Sequence, residues 1–298
     1  MFVSLIGTWI QYVAQSWLVF RLSNSAFLLG LVGFFNAMPI LFFSFFAGVI
    51  ADRFDKKSIL IITQFLFMVL AFILAFLTST GIVKVWHIMV MAVLNGLLMA
   101  FDAPARQSMV LELVGKKHLM NAIALNSASF NGARMIGPAL AGILIGIIGI
   151  AGCFYINGLS FFTIIVALFL VKNEMVPNNG SFDFRKDIKD GLKFIKNHKT
   201  ILTLLGVVAV PSLFGLSYMI LMPIFAENIL NVGAKGLGFL MSAVGLGALF
   251  AALNLARLGD YKYKGKLLIL SSFIFSFFLM VFALSKRFEF SLFALLFL

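Results

Sequence analysis

Residues 59 to 80, ILIITQFLFMVLAFILAFLTST, carry no charged side chain. A helix rises about 1.5 Å per residue, so a run of this length crosses the roughly 30 Å hydrocarbon core of a bilayer. The chain repeats the pattern. Similar runs cover 2–21, 27–50, 85–103, 121–148, 151–171, 200–226, 236–256 and 267–285, and a shorter one covers 288–298. The expected fold is an all-α membrane protein of about ten transmembrane helices, the last one cut short. The first run has no basic leader and no small-residue cleavage site, so it reads as helix 1 and not as a signal peptide.

Composition agrees: 62% of the 298 residues are hydrophobic and 11% are charged, which excludes an ordinary soluble domain. The net charge of +12 does not point to nucleic acid, because the basic residues sit in short loops between apolar runs. Residues 53, 56, 57, 106, 116, 117, 172, 185, 186, 189, 193, 196, 199, 257, 262, 264 and 266 place 17 of the 23 Lys and Arg on one side. Five lie on the other, and Arg134 falls within a span. By the positive-inside rule the richer side is cytoplasmic, and with it the N-terminus, as for a multi-pass protein of the cell (inner) membrane.

Several activities lack their motifs. His87, His118 and His198 are far apart with no H-E-x-x-H, and no phosphate-binding G-x-x-x-x-G-K-[ST] occurs, so neither an enzyme nor a self-contained ATPase is expected. Cys153 is the single cysteine and lies in an apolar run, which leaves no disulfide or zinc spacing. No cofactor and no metal is implied.

The longest polar stretch, 172–199, divides the chain into an N-terminal bundle of six helices, 1–171, and an incomplete C-terminal bundle, 200–298. Within the linker, Phe184, Ile188, Leu192 and Ile195 recur at helical spacing among Lys and Asp, as in a helix lying on the membrane surface. The halves also share a pattern. At a constant offset of 208, Gly30 matches Gly238, Asp52 matches Asp260, Lys56 matches Lys264 and Leu60 matches Leu268. A loop repeated between the second and third helices of each half is the signature of parallel-repeat transporters.

The first copy, GVIADRFDKK, resembles the signature loop of the major facilitator superfamily, roughly G-x-L-A-D-R-x-G-R-K, through Gly48, Ala51, Asp52, Arg53, Lys56 and Lys57. Ile50, Asp55 and Lys56 depart from it. GTWIQYVAQSWLVFRLSNSAFLLGLV, FDAPARQSMV and NGARMIGPALAGIL extend the resemblance to the efflux branch that includes macrolide exporters, the enterobactin exporter and lysophospholipid transporters. It implies two six-helix bundles and a cytoplasmic gate in which Asp52 meets and releases the start of helix 11. By its own chemistry Gly48 permits close helix approach, while Asp52 suits the positive end of a helix. Arg53, Lys56 and Lys57 hold the loop at the cytoplasmic surface; Asp260 and Lys264 are the corresponding residues of the second copy.

Arg134 is the second focus. A cation within a span costs roughly 2.5–3.5 kcal/mol on insertion scales, so it must face protein or water. Around it Gly137, Pro138 and Gly142 allow close packing and a bend, and they resemble the helix-5 G-P-x-x-G-G signature of antiporters, with Ala141 replacing a Gly. A packing pivot is one expectation; a structural pairing of Arg134 with Asp102 or with carbonyls is the other. The Arg that proton-coupled exporters often carry on helix 4 is missing, since Ala92 precedes Asn95-Gly96. Asp102 and Glu227 remain as coupling acids, although Asp102 also reads as the end of a helix before Pro104.

Polar and Met stripes mark a cavity: Thr8, Gln11, Tyr12 and Gln15 on helix 1, Met91, Asn95, Met99 and Asp102 on helix 4. With the central lining implied by the resemblance, Ser212, Tyr218 and Met222 of helix 7 join them. The expected function is secondary export of a hydrophobic or amphipathic small molecule by alternating access, with proton antiport. Alternatives are a lysophospholipid flippase and a non-transporting fragment or assembly partner.

Overall fold

The computed structural model describes residues 1–171, 193, 196–198, 201–203, 206, 215, 217–258 and 264–298, and every element among them is helical. Three helices open the chain: α1 (Phe2–Ser23), α2 (Ala26–Arg53) and α3 (Lys56–Ser79). Local chemistry sets their ends. Asn24 turns left-handed (φ 46°) and closes α1 on the Phe20 carbonyl, and the Ser25 hydroxyl accepts from the Leu28 N–H to start α2. Asp55 caps α3 by accepting from the N–H groups of Lys57 and Ser58.

α4 (Val85–Leu170) is broken twice, where Gly115 (φ 66°) and Gly149 (φ 74°) take a conformation that a side chain would strain. Its parts are α4a (85–114), α4b (116–148) and α4c (150–170). Further along, α5 (Ser217–Ile224) runs into a π-turn at Phe225–Ile229, just after Pro223. α6 (Gly233–Leu258), α7 (Lys264–Leu284) and α8 (Phe288–Leu295) follow.

Six stretches among the described residues are long and apolar enough to cross a membrane: Ala26–Ala51, Lys56–Ser79, Val85–Gly115, His118–Leu170, Gly233–Leu255 and Gly265–Leu284. α1 is not one of them, although it has the length. Its polar stripe lowers its hydropathy, and its buried face, from Ser4 and Gly7 through Val13, Ala14, Trp17 and Phe20, shows how such a helix is accommodated: neighbouring helices shelter it. Outside, Phe27, Leu41, Phe42, Phe273 and Leu284 are exposed, as a surface facing lipid requires.

The expected end of helix 4 at residue 103 is corrected. α4a continues through Pro104 to 114, because Asp102 is tied across the proline to Arg106, one turn on, and holds the backbone together where one hydrogen bond is lost. The linker reading over 172–199 falls almost entirely outside the described residues, as do Ser212 and Asp260.

A single apolar core joins the two parts of the chain: Ile10, Val13 and Ala14 of α1, Leu74 of α3, Phe154 of α4c, and Leu237, Leu240 and Met241 of α6 belong to one cluster.

Candidate functional site

Three groups of side chains carry the chemistry, beginning at the end of the bundle where α2 meets α3. Arg53 ends α2 and is exposed, and Lys56 opens α3 almost buried, its Nζ 2.8 Å from a carboxylate oxygen of Glu112 on α4a. Lys57 donates to the Val171 carbonyl at 2.7 Å, just beyond α4c. The loop is thereby tied to the end of α4a and to the residue that follows α4c. No atom lies within 4 Å of where a Cβ on Gly48 would stand, so the close approach expected there is not made by the described residues. Asp52 is the penultimate residue of α2, and Lys264 begins α7.

One layer deeper lies Asp102, only 3% exposed. Its Oδ1 accepts from Gln64 Nε2 at 2.7 Å and from Thr63 Oγ1 at 3.0 Å. Its Oδ2 accepts from Arg106 Nε at 3.1 Å and Nη2 at 2.7 Å. The α-amino group of Met1 lies toward the same corner, where burial and the Arg106 guanidinium hold it below its ordinary value. The N-terminus, the α2–α3 loop and the 102–112 segment therefore share one end of the molecule.

The second group is a seam of glycines between α4b and α6. A Cβ on Gly142 would stand about 3 Å from the Ala234 and Lys235 backbones; one on Gly238 would meet Pro138 O and Gly142; one on Gly245 would stand 2.5 Å from the Arg134 carbonyl oxygen. No side chain separates the two helices at these points, so backbone lies on backbone. Gly137, on the other side of α4b, receives Trp9 and the Ile6 carbonyl of α1.

The third group is central. The Arg134 guanidinium lies 5.8 Å from the centre of the Trp9 ring, and Trp9 meets Tyr12 and Phe130 edge-on at 5.7 and 6.0 Å. Nη2 of Arg134 reaches only the Met219 sulfur, at 3.6 Å, and its buried Nε has no partner among the described residues. The pairing with Asp102 that the sequence left open is not made. Tyr12, which meets Trp9 edge-on, is 40% exposed. Tyr218 of α5, next to Met219 in sequence, packs edge-on against Phe275 and Phe282.

Other sequence candidates are dispersed. Gln11 accepts from Asn157 Nδ2 at 2.7 Å in the α1–α4c contact, while Gln15 is half-buried. Asn95 accepts from Asn36 Nδ2 at 3.5 Å, next to Gly96, where α2 rests on α4a. Met91 is half-buried and Met99 is 40% exposed, whereas Met222 is wholly enclosed in the core. Glu227 is half-buried within the π-turn.

Comparison with known proteins decides the family. The family model described as transmembrane secretion effector, of the major facilitator type, matches residues 1–298. The chain belongs to the major facilitator superfamily. This transporter is 28% identical over 279 residues to the staphyloferrin A transporter of Staphylococcus aureus (strain NCTC 8325 / PS 47), covering 92% of this chain and 69% of that one. It is 22% identical to macrolide efflux protein A of Streptococcus pyogenes (91% and 68% covered) and 23% identical to the enterobactin exporter EntS of Shigella boydii serotype 4 (91% and 65%). The chain thus spans about two thirds of the length of these relatives.

Sequence reasoning about the transporter missed Glu112, Gln64, Asn157, Gly245 and Trp9. Periodicity held a signal for some. Glu112 is the acid on the continuation of helix 4 past Pro104, and Asn157 is a lone amide in an apolar run, which in lipid must find a partner. Trp9 gave none, because it stands beside the polar stripe of α1 and not on it.

Proposed function

We propose that this transporter exports a hydrophobic or amphipathic small molecule across the cell membrane by alternating access, in exchange for protons, with its N-terminus and α2–α3 loop on the cytoplasmic side. One observation carries the reading: backbone meets backbone where Gly142 and the Arg134 carbonyl of α4b face Ala234, Gly238 and Gly245 of α6. Backbone-to-backbone contacts let two helices slide or rock with few rotamers to rearrange, as a rocking mechanism needs. The relatives, a staphyloferrin A transporter, a macrolide efflux protein and an enterobactin exporter, support such a cargo.

In this reading the α2–α3 loop is the gate. Lys56 and Lys57 anchor it to α4 through Glu112 and the Val171 carbonyl, and Asp52, the penultimate residue of α2, is the group we assign to engage the other half. Asp102 is the anchor of that end. Its two oxygens are fully engaged as acceptors, so we assign proton coupling to Glu227, half-buried in a π-turn of the kind often found at functional sites.

The test is efflux of dyes, macrolides and a catechol siderophore from cells expressing the full gene product, with and without protonophore. Protonophore-sensitive efflux that Asp52→Asn abolishes, at unchanged membrane abundance, is the expected result. Equal losses of efflux and abundance reduce the loop to a topological signal. No efflux of any compound from a well-inserted protein turns the reading to lysophospholipid flipping, and failing that to an assembly partner.

A further inference from the structure

The same two atoms of two arginines meet opposite fates. On Arg106, Nε and Nη2 form the side-on edge that grips Asp102; on Arg134, Nε has no partner among the described residues and Nη2 reaches only a thioether sulfur, a weak acceptor. That edge is the one a carboxylate takes with two parallel hydrogen bonds. Its surroundings are those of a binding site for an amphipath. Trp9 lies against the guanidinium, and Phe130 and Tyr12 extend the aromatic wall. From α5, Met219 reaches the guanidinium, and Tyr218 is its neighbour in sequence. No carboxylate among the described residues forms an ion pair with Arg134.

The location strengthens the argument. Arg134 lies near the middle of α4b, far from both breaks of α4, where a cation within a span has to be met by protein, water or a ligand. Its backbone carbonyl lies against Gly245 of α6, which fixes the helix position from which the side chain departs. An unneutralised cation held in such a place has favourable energy to release when an oxyanion arrives.

We infer that the Arg134–Trp9 cluster is an oxyanion subsite and that the cargo is an anionic amphipath: its carboxylate or equivalent group pairs with Nε and Nη2 of Arg134, and its apolar body packs against Trp9 and Phe130. The inference rests on the exporter reading and narrows it, because a cationic cargo of the same shape is disfavoured by the same charge.

Three probes with one ring system separate the possibilities: pyrenebutyrate, its neutral amide, and a pyrenebutyl trimethylammonium. Binding of each to the full-length protein in nanodiscs of neutral lipid is read by energy transfer from tryptophan to pyrene. The carboxylate is expected to bind at least tenfold more tightly than the amide, and the cation more weakly than either. Arg134→Gln should bring the carboxylate down to the amide's level, while Arg134→Lys keeps part of the preference; the thermal melt of each variant shows that it remains folded. Equal binding of carboxylate and amide, or a preference untouched in Arg134→Gln, overturns the inference and leaves the exporter reading standing. Failure of all three probes to bind sinks both. Nanodiscs containing phosphatidylglycerol supply the last arm: if that lipid removes the carboxylate preference, the subsite holds a headgroup and the cargo assignment is wrong.

Discussion

Asp102 and Arg134 are both charged residues within the helical bundle, one on α4a and one on α4b, yet their surroundings differ in kind. Asp102 receives donors from two helices, Thr63 and Gln64 of α3 and Arg106 of α4a. Arg134 has an aromatic face, a sulfur atom and an orphaned N–H. A charge with every lone pair engaged is part of the framework. A charge left without its partner has the character of a site, because only a transient ligand can supply what folding withheld.

The largest effect should follow from opening the first of these. Asp102→Asn leaves Arg106 facing a neutral amide and disorders the hydrogen bonds of Thr63 and Gln64. Removing one partner of a buried pair costs about 3–5 kcal/mol, and with 26% of the Arg106 side chain exposed we expect about 2–3 kcal/mol here. Membrane abundance and the detergent melting temperature should fall together. Unchanged stability would show that Asp102 is no anchor and return it to the list of coupling acids.

A smaller loss is expected at the seam. Gly238→Val places a branched side chain against the Pro138 carbonyl and Gly142, both backbone and unable to swing aside, so the helices must separate. Overpacking of this kind costs on the order of 1–3 kcal/mol. Transport should fall further than the melting temperature does, since the change wedges the surface on which the halves are proposed to move. It also shifts the wall that fixes Arg134 while leaving Asp102 untouched, so an altered tryptophan emission with an intact α3–α4a core is the outcome that keeps the two regions distinct.

Helix positions were legible in the sequence because bilayer thickness imposes a length that composition reports directly, and the left-handed glycine at Gly149 fell between two apolar runs as drawn. The α2–α3 loop was legible as a motif, whereas its anchors were not: Glu112 lies 56 residues from Lys56, and no local pattern joins them. Helix 4 was drawn too short because proline is read as a stop, and the Asp102–Arg106 tie that carries α4a past Pro104 is visible only as an i, i+4 pair astride it. Arg134 was conspicuous by type. That it has no counter-ion among the described residues could be known only once Asp102 had been seen to belong to Arg106.

The smallest predicted effect has the opposite sign, which makes it the sharpest test of the comparison. Arg134→Met removes an unpaired cation and offers an apolar chain of similar length to Trp9 and Met219. If the charge is held without compensation, the variant should be more stable than the native protein, by roughly 0.5–1 kcal/mol, as replacement of a poorly paired buried ion by a fitting apolar side chain often is. Transport should vanish at the same time. A gain in melting temperature with a loss of export is the behaviour of a functional residue kept at the expense of stability. A loss of both would mean that Arg134 is part of the framework after all, satisfied by partners beyond the described residues, and the contrast with Asp102 would collapse.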